Sequence, residues 1–202
     1  MKHINLGQTM KTMAICLMIV SLGSDVYALP GGGVVTAGNA GITSGPGGMT
    51  ITQTTPRTAI NWQSFNIGQK EAVRFVQPNS YSVALNRVLG SDPSSIQGSL
   101  SANGQVFLMN PNGVLFGKGA QVSVGGLVAS TLNITDGDFM AGRYQFNGAG
   151  NGAIINQGSI TAADGGYVAL LGANVSNEGI ISARLVSCQP CNVVKNVVSN
   201  LH

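Results

Sequence analysis

Few residues of this sequence have the types and spacing that catalysis requires. The acidic residues beyond residue 28 are Glu71, Asp92, Asp136, Asp138, Asp164 and Glu178. Only Asp136 and Asp138 are close in sequence, whereas cleavage of a polysaccharide needs convergent carboxylates, or calcium together with basic residues. His202 is the single histidine outside the N-terminal segment, so a Ser-His-Asp site is hard to assemble. We therefore predict that the protein is not an enzyme and binds no cofactor.

Two cysteines near the end of the chain, Cys188 and Cys191, have the spacing C-x-x-C. In an oxidising compartment the two thiols could form a disulfide. A structural zinc site needs four ligands, and a redox motif normally opens a helix in a βαβ unit; the sequence offers neither setting. The pair is therefore interpreted as a disulfide or as incidental, and no metal site is predicted.

The tetrapeptide Asn110-Pro111-Asn112-Gly113 interrupts two strand-like runs, "QVFLM" and "GVLF". Proline gives a sheet no backbone N–H donor, and Asn-Gly commonly marks a tight turn. The elements on either side must therefore be short strands that meet at a corner formed by these four residues.

The composition indicates a β-rich fold with polar, uncharged surfaces. Of 202 residues, 44% are hydrophobic and only 8% are charged, and 29 are glycine. A helical bundle would need charged outer faces, and a disordered chain would be less apolar and more charged. The formal net charge of +3 comes with no basic cluster, so we predict no nucleic-acid-binding surface.

The first 28 residues have the three-part pattern of a secretory signal peptide. Lys2 and Lys11 precede an uncharged apolar run at residues 13–23, and Val26 and Ala28 are the small residues before the predicted cleavage site between Ala28 and Leu29. The alternative is a buried core helix. The run is about 11 residues, too short for the roughly 20 that span a membrane. We predict an exported, soluble chain that is not an integral membrane protein.

An internal repeat indicates a β-solenoid. The pattern N-x-G-x-I begins at Asn156 and again at Asn177, 21 residues later, and short strands with glycine turns lie between the two copies. Residues 133–153, richer in charge and aromatics, are predicted to form a loop or hairpin that projects from the rod. Residues 186–202 lack the repeat and any glycine. They are interpreted either as a cap or as an unrelated tail left by truncation or frame disruption.

Two stretches carry a resemblance to a known family. They are "INWQSFNIGQKEAVRFVQPNSYSVALNRV" and "SSIQGSLSANGQVFLMNPNGVLFGKGAQVSVGGLVAST", in which "FNIG", "NRV" and "FLMNPNG" follow in that order. They resemble the N-terminal secretion domain of the filamentous haemagglutinin family, and most of all its high-molecular-weight adhesin branch. The resemblance covers residues 29–185.

The resemblance implies a fold and a route of export. The fold is all-β, a right-handed parallel β-helix with an N-terminal cap and extra-helical strands. The route is two-partner secretion in a Gram-negative bacterium: the Sec machinery takes the chain to the periplasm, and an outer-membrane β-barrel transporter with POTRA domains delivers it to the cell surface or the medium. Host-cell receptors or glycans are the further partners that adhesins of this family imply.

The family's NPNG motif maps onto Asn110, Pro111, Asn112 and Gly113, and the resemblance implies a role in secretion. The motif either contacts the transporter or only shapes a turn, and both interpretations remain open. The family's second motif, N-P-N-L, is absent, and "QPNS" at residues 77–80 is not equated with it. The alternative function is a stand-alone small secreted adhesin or glycan-binding module.

Overall fold

The computed structural model describes residues 28–148, 150–194 and 197–199. They form eighteen strands and one short helix. In chain order the strands are β1 (Val34–Ala37), β2 (Ala40–Gly45), β3 (Gly48–Gln53), β4 (Arg57–Trp62), β5 (Ala72–Val76), β6 (Val83–Val88), β7 (Ser94–Ile96), β8 (Ser99–Ala102), β9 (Gln105–Met109), β10 (Val114–Phe116), β11 (Gln121–Val124), β12 (Gly126–Ser130), β13 (Ala153–Asn156), β14 (Ser159–Ala162), β15 (Tyr167–Asn177), β16 (Ile180–Ala183), β17 (Leu185–Val194) and β18 (Val197–Ser199). The helix, α1 (Asp136–Met140), lies between β12 and β13.

The strands stack into three parallel ladders. The first runs β4-β6-β9-β12-β15, the second β7-β10-β13-β15, and the third β3-β5-β8-β11-β14-β16-β18. The long strand β15 belongs to two ladders, because its first half pairs with β12 and its second half with β13. Most coils add one strand, or one half of a long strand, to each ladder, and there are about six coils. The predicted all-β parallel β-helix is confirmed.

The interior is a column of stacked apolar side chains. In the third ladder Val73, Leu100, Val122, Ile160 and Ile181 occupy paired positions in successive coils, and all are buried. In a strand alternate side chains point to the same face, so one apolar position per coil is enough to build this column. Fully burying each such side chain contributes about 1.5–3 kcal/mol.

The 21-residue repeat seen in the sequence is one coil of this helix. Asn156 pairs directly with Asn177, and the Asn156 side-chain amide donates to Asn177 Oδ1 at 2.7 Å. Both side chains are buried, so their amide groups must bond inside the protein. Two residues further on, a Cβ added to Gly179 would lie 2.2 Å from the Gly158 carbonyl oxygen, so the repeat needs glycine there.

The N-terminal strands cap the first coil. β1 pairs with β4 and β2 pairs with β3, both antiparallel, unlike the ladders they close. An open end of a β-helix presents unpaired backbone groups that would template aggregation. The predicted N-terminal cap and extra-helical strands are therefore present.

The segment between β12 and β13 packs against the outside of the β-helix instead of projecting from it. Phe139 of α1 is fully buried, 6.1 Å from Phe107 between ring centroids, and Tyr144 lies 5.0 Å from the same ring. The segment packs there because the outer side of the first ladder carries the apolar side chains of Leu85, Phe107 and Val128. These side chains would face water without the segment, so their burial holds it down.

Strand pairing continues beyond the predicted domain boundary at residue 185. β17 pairs with β15 and β18 with β16, both parallel. The boundary and the atypical tail at 186–202 stay predictions, and the predicted leader lies almost wholly outside the described residues. Cys188 and Cys191 lie in β17, but their side chains are outside the described part, so the disulfide also stays a prediction. No helix in the described ranges is long and apolar enough to cross a membrane.

Candidate recognition site

The residues Asn110 to Gly113 form a tight turn between β9 and β10. The Gly113 N–H donates to the Asn110 carbonyl oxygen at 3.0 Å, which closes a four-residue turn. The Asn112 N–H donates to Asn110 Oδ1, also at 3.0 Å, which forms an Asx turn within the backbone turn. The predicted corner is therefore present, and it joins the first ladder to the second.

The Asn110 side chain ties the turn to its neighbouring coils. It is fully buried, and its amide donates to the Asp92 carbonyl oxygen and to Ser94 Oγ, both at 3.0 Å, in the preceding coil. Its backbone N–H donates to the Ser130 carbonyl oxygen in the following coil at 2.9 Å. One asparagine thus holds three successive coils in register at this corner.

Gly113 is required by backbone contact on the other side of the turn. Its φ is +112°, a conformation that residues with a Cβ rarely adopt. A Cβ placed there would lie 2.7 Å from the Ala153 carbonyl oxygen. The Gly113 carbonyl oxygen also accepts the Ser94 N–H at 3.0 Å. Asn110 and Gly113 therefore face the protein and not its surroundings.

The middle of the turn faces solvent. Pro111 and Asn112 are exposed, and the Asn112 amide donates to the Gly90 carbonyl oxygen at 2.9 Å. Leu89, 56% exposed, lies beside them along a shallow groove of about 380 Å³ that Pro111, Asn112 and Leu132 also line. We call Leu89, Pro111 and Asn112 the corner surface. It joins a rigid turn to an exposed apolar side chain, a combination suited to docking a partner.

An arginine fixes the folded-back segment next to the corner surface. Arg87 Nη2 lies 2.8 Å from Asp136 Oδ1 and donates to the Ile134 carbonyl oxygen at 2.6 Å. Its Nε donates to Asn133 Oδ1 at 2.8 Å and its Nη1 to Asn61 Oδ1 at 2.9 Å. The partners of the Arg87 guanidinium are therefore groups of this same chain. Its role is to hold the folded-back segment in place beside the groove.

The two carboxylates that are close in sequence serve the same segment. Asp136 pairs with Arg87, while Asp138 accepts hydrogen bonds from Thr135 and Arg143. Those bonds, first from Thr135 and then from Arg143, hold the pKa of the Asp138 carboxyl below its usual value. The described residues contain no group of three or more His, Cys, Asp or Glu side chains placed to hold a metal.

Sequence reasoning missed a buried glutamine at the corner between the third and first ladders. Gln77 is 5% exposed and begins the "QPNS" stretch. Its amide donates to Gln53 Oε1 and to the Ser82 carbonyl oxygen, both at 3.1 Å, and its Oε1 accepts the Gly104 N–H at 3.0 Å. No spacing pattern marks it, because its partners come from three different coils.

The comparisons with known proteins agree with this architecture. A family profile described as "TPS secretion domain" matches residues 27–194. A heme/hemopexin-binding protein of Haemophilus influenzae strain Rd is 43% identical over 171 residues, which cover 77% of this chain and 18% of that protein. Another protein of that name from Haemophilus influenzae is 49% identical over 98 residues, 48% of this chain and 11% of that protein. The crystal structure of the HMW1 secretion domain from Haemophilus influenzae matches with a TM-score of 0.73 and 37% identity, over 78% of this chain and 44% of that one. The chain spans less than a fifth of the curated relatives it matches.

Proposed function

This chain belongs to the family of TPS secretion domains, as its motifs predicted, and on that premise we propose that an outer-membrane POTRA-barrel transporter recognises it for export. It is the secretion domain of a two-partner-secretion exoprotein, a class exported to the cell surface or the medium. Its similarity to the HMW1 secretion domain fits the high-molecular-weight adhesin branch.

The observation that carries the proposal is the division of the NPNG turn into an inner and an outer half. Asn110 is fully buried, so a folded domain cannot offer its side chain to a partner. Pro111 and Asn112 are exposed and lie next to Leu89. We assign Asn110 and Gly113 to shaping the corner, and the corner surface to contact with the transporter.

Export itself follows from the physical character of the chain. The Sec machinery delivers the chain unfolded after recognising the leader at residues 1–28, which is then cut between Ala28 and Leu29. With 8% charged residues and many β-prone segments, an extended chain suits strand addition to a partner's sheet edge. The coils around the corner fold in the periplasm, where the corner surface meets the transporter; the remaining coils fold outside the cell, coil upon coil, which biases movement outward.

The experiment compares two exposed aliphatic side chains. Leu89→Ser alters the corner surface, and Ile180→Ser, at 52% exposure, is its matched control in the third ladder. Each variant is co-expressed with the transporter and quantified in the medium. We expect Leu89→Ser to lower secretion about tenfold or more while Ile180→Ser stays near wild type, with both purified domains folded. Equal secretion of the two variants would show that the transporter does not recognise the corner surface.

A longer exoprotein is the natural setting for such a domain. Because the match covers 18% of one relative, we propose that this chain is a truncated member of the family. The longer rod that follows the secretion domain in a full-length member would carry the adhesive activity. A stand-alone adhesin or glycan-binding module is the alternative. Sequencing the locus beyond the codon for His202 decides between them: glycine-rich repeats in another frame support truncation, and their absence supports the small module.

A further inference from the structure

The carboxylate of Glu71 is buried and receives only backbone donors. The residue is 6% exposed and directly precedes β5. Its Oε2 accepts the Gly68 N–H at 2.7 Å, and the Ala28 nitrogen lies 3.0 Å from both Oε1 and Oε2. Within the described ranges, the two ion pairs formed are Arg87–Asp136 and Arg143–Asp138, so no lysine or arginine neutralises Glu71.

This geometry suits an ammonium better than an amide. A buried carboxylate without a cation is unfavourable, since its charge has lost its hydration. The single hydrogen of the Ala28 amide is shared by the two oxygens and carries no net charge, whereas an ammonium has three hydrogens and a positive charge. An ammonium in this place would keep hydrogen bonds to both oxygens and would also neutralise the buried charge.

The contacting nitrogen belongs to Ala28, the last residue of the predicted leader, so this contact is lost when the leader is removed. Cutting between Ala28 and Leu29 turns the Leu29 nitrogen into an α-ammonium, one residue from the observed contact, and adjacent Cα atoms are about 3.8 Å apart. The segment that follows is anchored: Leu29 packs against the core, and the Gly31 N–H donates to the Ser64 carbonyl oxygen at 2.9 Å. The anchored segment keeps the Leu29 nitrogen within about one residue's length of the Ala28 contact with Glu71.

We propose that Glu71 is the binding site for the α-ammonium created when the leader is removed. In the precursor the carboxylate faces a neutral amide, and after cleavage it forms a buried ion pair that fastens the N-terminus to the first coil. Leader removal then stabilises the folded cap, so the precursor is less stably folded than the mature chain. This inference rests on the leader removal proposed above.

The test is a cycle of four chains that begin at Leu29. The α-amine is free or acetylated, and residue 71 is Glu or Gln. Glu71→Gln should raise the unfolding equilibrium constant about tenfold or more in the free-amine chain, and much less in the acetylated chain. Glu178→Gln, an exposed carboxylate at the far end of the helix, is the control and should behave alike in both. An equal effect of Glu71→Gln in both chains would overturn the proposal.

A second measurement does not depend on stability. The free α-amine of the folded protein is acylated with an amine reagent, and the N-terminal peptide is quantified by mass spectrometry. We expect the wild-type amine to react about tenfold more slowly than that of Glu71→Gln; equal rates would contradict the pairing. Sequencing the N-terminus of the exported protein tests leader removal separately. A retained leader would refute leader removal and this role of Glu71, even if the four chains of the cycle show coupling between Glu71 and the α-amine.

Discussion

Replacing Asn110 by alanine tests the corner most sharply, because one side chain carries three hydrogen bonds there. The change removes donation to the Asp92 carbonyl oxygen and to Ser94 Oγ, and removes the acceptor for the Asn112 N–H. A typical hydrogen bond contributes about 1 kcal/mol to stability, and a buried group left without a partner costs more. Because the Asn110 side chain is fully buried, we expect the free energy of unfolding to fall by about 3 kcal/mol.

The assay is equilibrium unfolding of the purified domain in urea. With a slope of about 2 kcal/mol per molar, 3 kcal/mol moves the midpoint by about 1.5 M. Asn112→Ala is the matched control, since it removes one exposed bond to the Gly90 carbonyl oxygen and should cost less than about 1 kcal/mol. Asn110 does not hold the corner together if Asn110→Ala has a free energy of unfolding within about 0.5 kcal/mol of wild type, or if Asn112→Ala lowers it by as much.

Three further predictions concern the elements around the corner. Gly113→Ala should lower the free energy of unfolding by about 2 kcal/mol or more in the same urea assay, because it combines a φ of +112° with a Cβ 2.7 Å from the Ala153 carbonyl oxygen; a neutral effect would contradict this geometry. Arg87→Met should release the segment around α1, seen as faster limited proteolysis there, while Asp136→Asn, which leaves the other Arg87 bonds in place, should have a smaller effect. The pKa of Asp138 is lowered in the folded state, so its contribution to α1 is present above the ordinary value of 3.8 and is lost as pH falls through the folded value. The protection of the α1 amides, measured as hydrogen exchange relative to the intrinsic rate at each pH, should therefore decrease on acidification in wild type and lose that dependence in Asp138→Asn.

The sequence allowed the coil repeat and the corner to be predicted because both depend on local patterns. Asn156 and Asn177 carry the same motif one coil apart, and they stack as a buried pair. The turn at Asn110 follows from proline and Asn-Gly chemistry between two strands. In both places the residues that form the feature are neighbours in the chain or recur at a fixed interval.

Features that depend on distant partners could not be read in the same way. The segment around Phe139 was predicted to project as a loop, because nothing in its own sequence indicates that Phe107 makes the outer face of the first ladder apolar. The bonds of Gln77 to Gln53 and Gly104, and the contact between Glu71 and Ala28, join residues that are 24 or more positions apart. Only the coiled path of the chain brings them together.

The division of the NPNG turn gives the motif two separable physical roles. Asn110 and Gly113 face inward and set the path of the backbone, while Pro111 and Asn112 face solvent beside Leu89. A loss of secretion in an Asn110 variant is therefore ambiguous unless folding is measured in the same protein. A loss in a corner-surface variant that stays folded points to contact with a partner.

Recognition of this domain by a transporter is tested most directly by expressing the full chain with and without the outer-membrane transporter and measuring its amount in the periplasm and the medium. We predict that the chain reaches the medium only when the transporter is present, and otherwise stays in the periplasm. Appearance in the medium without the transporter, or retention in the periplasm with it, would contradict recognition of this domain by such a partner.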